Sequence, residues 1–127
     1  MEATYPTPYA VLLQLATSQS SPVAKIKCLY AARKSRDTNS QMRAYASYCA
    51  AQIITSNYST SERALEEAKT LLLSAERDLK SSKQNSNSTT ANYLATLSLL
   101  GQCHMLLGDD TSAATVFQTG VRAAASR

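Results

Sequence analysis

The sequence predicts an all-α fold, and three observations predict it. Its 127 residues hold only 3 Gly and 3 Pro, too few for the many tight turns of an all-β protein of this length. Ala, Leu, Ser, Lys, Gln and Glu dominate, and most of these are good helix formers. Apolar residues, 44% of the chain, recur at intervals of three and four.

Six helices follow in order. Pro8 suits the first turn of a helix from about Thr7 to Thr17, where Tyr9, Leu12, Leu13 and Ala16 share a face. After the turn TSQSS, Ser21 is placed to cap the second helix, with Pro22 at its first position. Val23, Ile26, Leu29 and Tyr30 form its stripe, and its basic last turn suits the negative end of a helix dipole. SRDTNS breaks the pattern. Asn39 or Ser40 caps a third helix that runs to about Ser56. There Tyr45, Tyr48, Cys49, Gln52 and Ile53 fall on successive turns, and Ala44, Ala46, Ala50 and Ala51 allow close approach.

Asn57-Tyr-Ser is the next turn, and Ser59-Thr-Ser-Glu62 reads as a capping box for the fourth helix. Ala64, Leu65, Ala68, Leu71, Leu72, Ala75 and Leu79 give that helix a clean apolar face to about Ser81. Residues 81–90 are polar with no apolar anchor and read as a flexible loop. The fifth helix spans about Thr89 to Leu107 and ends on Gly108, the expected left-handed residue. Asp109 or Asp110 caps the sixth, which runs nearly to the end. The organisation is one domain over 1–127, with three antiparallel helix hairpins at about 7–36, 39–81 and 89–126.

Charge and cysteine usage narrow the function classes. Thirteen Lys and Arg against nine Asp and Glu give a net charge of +4, unevenly placed. Lys25, Lys27, Arg33, Lys34, Arg36 and Arg43 crowd one region, with no acid between Glu2 and Asp37. Cys28, Cys49 and Cys103 are odd in number and widely spaced. They read as buried free thiols in a reducing compartment rather than as a metal or redox motif. The start has no basic segment and carries Glu2, unlike a signal peptide. No stretch reaches the ~18–20 apolar residues of a membrane span. An intracellular chain without membrane contact is expected.

No constellation carries catalysis. His104 is the only histidine, and Cys103 beside it points about 100° away on a helix. Glu66-Glu67 reads as a solvated face and Asp109-Asp110 as a cap. Phosphate loops, HExxH and GxSxG are absent. The reading is not an enzyme, with no cofactor and no metal. The basic residues offer a competing reading, nucleic-acid binding through 25–43, with Tyr30 and Tyr45 near enough to stack on bases. Against it, Lys25 and Lys27 point about 200° apart.

Residues 97–120 carry a family resemblance. Leu97, Leu100, Gly101, His104, Gly108, Ala113, Phe117 and Gly120 follow the rhythm of two closely packed antiparallel helices. This resembles the tetratricopeptide repeat (TPR). His104 stands for the usual aromatic residue and Gly120 for the usual Ala. The earlier triplets Ala24, Cys28, Ala31 and Ser61, Leu65, Ala68 repeat the second-helix signature at spacings longer than the ~34 residues of a strict repeat. The resemblance implies a TPR-like α-solenoid, a non-catalytic scaffold that holds an extended or helical segment of another polypeptide. By analogy its inner face holds Tyr45, Tyr48, Gln52 and Thr55 on the third helix and Ser98, Gln102 and Met105 on the fifth. Ser98 and Gln102 stand where a chaperone-tail clamp needs Lys and Asn.

A narrower resemblance spans about residues 9–80. Leu12-Leu13, Ile26-Lys27-Cys28-Leu29, Ala51-Gln52-Ile53-Ile54, Thr55-Ser56-Asn57 and Leu65-Glu66-Glu67-Ala68 are similar to the N-terminal repeats of the TPR subunit of the cohesin loading complex. It implies a nuclear, chromosomal protein in sister-chromatid cohesion that wraps an extended segment of the large loader subunit. The alternative is a cytoplasmic TPR-like adaptor or small chaperone for another peptide. The last helix keeps Val116, Phe117, Val121 and an alanine run with nothing after it. Continuation of the array or self-association through this helix is expected.

Overall fold

A computed structural model of the protein describes residues 7–81 and 87–125. All the regular structure among them is α-helical. The helices are α1 (Pro8–Ser18), α2 (Pro22–Arg33), α3 (Ser40–Asn57), α4 (Glu62–Ser81), α5 (Asn87–Leu106) and α6 (Asp110–Ala125).

Helices begin where a short polar side chain takes up a free backbone N–H. Thr7 accepts from Ala10 N (3.3 Å), Ser21 from Ala24 N (3.4 Å) and Asn39 from Met42 N (2.9 Å). Ser61 accepts from Ala64 N (3.2 Å) and Asp109 from Ser112 N (3.1 Å). The end of α5 is set by Gly108, at φ +81°. Its N–H donates to the Met105 carbonyl (3.0 Å) and Asp109 N–H to the His104 carbonyl (2.8 Å), a Schellman motif.

Two boundaries correct the sequence reading. Ser61, not Ser59, caps α4; Ser59 lies in a turn closed by Ser61 N–H on the Tyr58 carbonyl (3.0 Å), so no box with Glu62 forms around it. The helix expected from about Thr89 begins two residues earlier, so residues 87–88, read as loop, belong to α5. Asn, Ser and Thr carry no apolar period to announce a helix. The first turn of α5 is instead tied to α3, where the Gln41 amide donates to Thr89 Oγ1 (3.0 Å). Residues 82–86 of that stretch, and Met1–Pro6 of the start, lie outside the described residues.

Each helix packs on the next, and α3 also reaches α5. Cross-contacts fix opposite directions. Tyr9 near the start of α1 meets Ala32 near the end of α2. Arg43 near the start of α3 grips Asp78 near the end of α4 with Nε–Oδ2 and Nη2–Oδ1 bonds of 3.0 and 2.9 Å. Along α5 and α6, Gly101 faces Phe117 while Leu97 faces Gly120.

One apolar core threads the layers. Ala16, Leu29, Ile54, Leu72, Leu100 and Cys103 belong to a single contiguous cluster, with Val116 of α6 packed against it. The buried face of α3 is built from Ala44, Ala46, Ser47, Ala50, Ala51 and Ile54. Such small side chains let α3 lie close to α4, where Leu65, Ala68, Leu72 and Ala75 are buried. In α2 the tight contact is Ala32, fully buried, whereas Ala31 of the predicted triplet is exposed.

The first helix is moored at its beginning. Asp37, in the α2–α3 connection, accepts Tyr9 N–H (3.3 Å) and the Ser35 hydroxyl. These bonds, the one from Ser35 foremost, hold its carboxyl below the usual carboxylate range. The Tyr9 phenol runs the other way and donates to the Met42 carbonyl (2.6 Å).

Candidate functional site

A groove opens between α1, α2 and α3. Leu13 and Ala16 form one wall, Leu29 the base, and Tyr45, Cys49, Gln52 and Ile53 the facing wall; its volume is about 260 Å³. Past Lys25, Gln52 and Ile53 it continues into a polar depression of about 380 Å³ bounded by Ser20, Pro22, Ser56 and Asn57. Lys25 lies at the junction. Its ammonium donates to the Ala16 and Thr17 carbonyls at 3.4 and 3.5 Å, closing the carbonyl end of α1.

Helical geometry decides which predicted residues meet here. At about 100° per residue, positions 45, 49, 52 and 56 form one narrow strip. Tyr45, 45% exposed, and Gln52 both line the groove. Tyr48 and Thr55 turn about 60–80° to one side of Tyr45 and do not line this groove. Tyr48 packs on the core and lines a narrow gap with Leu79, Asn92 and Thr96 toward α5. The Thr55 hydroxyl folds back onto the Gln52 carbonyl (3.0 Å). Cys49 and Ile53 take their places. An apolar residue four positions after Tyr45 was the available signal. Ser98, Gln102 and Met105 stay exposed on α5, outside both depressions.

The groove holds a thiol but not an activated one. Burial pushes the Cys49 thiol above its ordinary value, and the neighbouring Cys49 is the largest cause of the upward shift of Tyr45. A thiol held neutral is a poor nucleophile. Cys28 and Cys103 are free as well, Cys103 fully buried. His104 is half-buried, its Nδ1 without a partner among the described residues. No three His, Cys, Asp or Glu side chains among the described residues converge on a metal position.

The six cations of the predicted basic patch are divided among several places. Lys25 serves the groove, while Lys27 lines a separate apolar cleft of about 430 Å³ between α2, α3 and α4, with Glu67 also on its wall. Glu67 accepts the Tyr30 hydroxyl there. Arg43 is held by Asp78 and drops out of any phosphate-facing surface. Arg33 is half-buried with an unpartnered Nε; only Lys27, Lys34 and Arg36 are exposed. Pairing explains the difference for Arg43: α3 turns it onto α4, where the Asp78 carboxylate accepts two bonds from it.

At the far end, Phe117 is 38% and Val121 68% exposed on α6. No described helix is long and apolar enough to cross a membrane. No protein-family model matches the sequence, no curated protein matches it, and no solved structure matches the chain.

Proposed function

We propose that this protein is a non-catalytic, TPR-like scaffold of three stacked hairpins. Its α1–α3 groove receives an extended or helical segment of another polypeptide. The observation that carries this reading is that Tyr45 and Gln52 stand exposed at a groove lined by the apolar Leu13, Leu29 and Ile53. A tyrosine with one face free and a neighbouring amide are good contact groups at protein interfaces. The close approach of Phe117 to Gly101 supports the TPR-like hairpin at the other end of the chain.

Selection of a random 12-residue peptide library on the full chain tests the reading. The scaffold reading expects enriched peptides whose affinity falls about tenfold or more in Tyr45→Ala and in Ile53→Glu. Failure to enrich any peptide, or peptides indifferent to both variants, overturns it. The similarity of residues 9–80 to the cohesin-loader subunit nominates one partner, the large loader subunit, and with it a nuclear location. Overlapping peptides from that subunit test the nomination. If none binds, that partner is rejected and the adaptor reading takes its place.

A further inference from the structure

We infer that the segment seated in the α1–α3 groove carries a carboxylate beside an apolar residue, and that Lys25 receives it. The inference rests on the proposed use of the groove for a polypeptide. Lys25 is the single charged side chain among the described residues that line the groove and its polar extension. It stands where the apolar floor gives way to Ser20, Ser56 and Asn57. Its two intramolecular acceptors lie at 3.4 and 3.5 Å, longer than a strong ammonium–carbonyl bond, and an ammonium has three protons to donate.

A polypeptide laid over Leu13, Gln52 and Ile53 covers that ammonium as well. Removing an ammonium from water is costly unless an opposite charge replaces the water. No acid among the described residues lines either depression, so on this inference the anion comes from the occupant. One lysine matches the single charge of Glu or Asp. A phosphoserine, at about −1.5 to −2, would keep charge uncompensated. The α2–α4 cleft differs on this point, since both Lys27 and Glu67 line it.

Three degenerate 12-residue peptide pools, with a fourth as charge-reversal control, test the inference on the full chain. All share a central Leu, flanked on both sides by Glu, by Gln or by phosphoserine. The Glu pool is expected to bind about tenfold or more tightly than the Gln pool, and the preference should vanish in Lys25→Gln. It should persist in Lys25→Arg and Lys27→Gln, and Lys25→Glu should favour a fourth pool flanked by Lys. Far-UV circular dichroism confirms that each variant is folded. Equal binding of the Glu and Gln pools, with Ile53→Glu still abolishing both, overturns the carboxylate and leaves the groove reading standing. A Glu preference unmoved in Lys25→Gln, or preference for phosphoserine, overturns the inference as well. If no pool binds, both readings fall together.

Discussion

The ring of Phe117 occupies the space that a β-carbon on Gly101 would need. An added Cβ would lie 2.9 Å from Phe117 Cδ1 and nearer still to Cε1 and Cζ. At Gly120 the nearest atom, Leu97 Cδ1, is 3.8 Å from such a carbon, an ordinary contact. Two helical glycines on one interface thus do different things.

Alanine at the two sites should act with opposite sign. Gly120→Ala gains helix propensity without a clash and should stabilise by about 0.5–1 kcal/mol. Gly101→Ala gains the same propensity but displaces Phe117. Overpacking of ~1–3 kcal/mol outweighs it, for a net loss of about 1 kcal/mol. In a Phe117→Ala background Gly101→Ala should turn stabilising. Urea midpoints across the double-mutant cycle read the coupling.

Ser47 should be better replaced. Its side chain is fully buried in α3 and its Oγ has no partner among the described residues. An unsatisfied buried hydroxyl costs about 1–3 kcal/mol, and Ala is also the better helix former. Ser47→Ala should therefore raise stability by about 1 kcal/mol or more in chemical denaturation. Lower stability would mean that the hydroxyl has an acceptor.

Alkali should loosen the fold in two steps. Burial pushes the Cys103 thiol from 9.0 up to about 11 and the Tyr9 phenol from 10.0 up to about 12. Both values rise on folding, so the folded chain keeps protons that the unfolded chain has released. The stabilisation is complete below the unfolded values and is lost as pH rises, over about 9–11 for Cys103 and about 10–12 for Tyr9. Urea midpoints followed upward from pH 8 should fall through this window. Tyr9→Phe should flatten the upper part and cost about 1 kcal/mol at neutral pH, the bond to the Met42 carbonyl.

Local chemistry made the helices legible. Ser21 with Pro22, Asn39, Asp109 and Gly108 each act within one turn of themselves, and each stands where short-range rules place it. The start of α5 is expected two residues late, at Thr89 rather than Asn87, because the polar residues before it carry no apolar period, and the bond that holds its first turn comes from Gln41, 48 residues away. The Ser59 box failed for a smaller reason: two serines compete within three residues, and the turn on Tyr58 selects Ser61. Of the inner-face residues expected on α3, Tyr45 and Gln52 line the α1–α3 groove and Tyr48 and Thr55 do not. Period alone does not say on which side of a strip the neighbouring helix stands. Pairing of Arg43 with Asp78 joins distant positions and had no local sign.

Asp37 and the Met42 carbonyl hold one end of α1, and the longer contacts of Lys25 meet its other end, so the wall that α1 gives the cleft is tied to its neighbours at both ends. For the segment proposed to occupy the cleft, the cost of ordering that wall falls on folding rather than on encounter. On the proposed use of the groove, variants of its contact residues should change dissociation more than arrival.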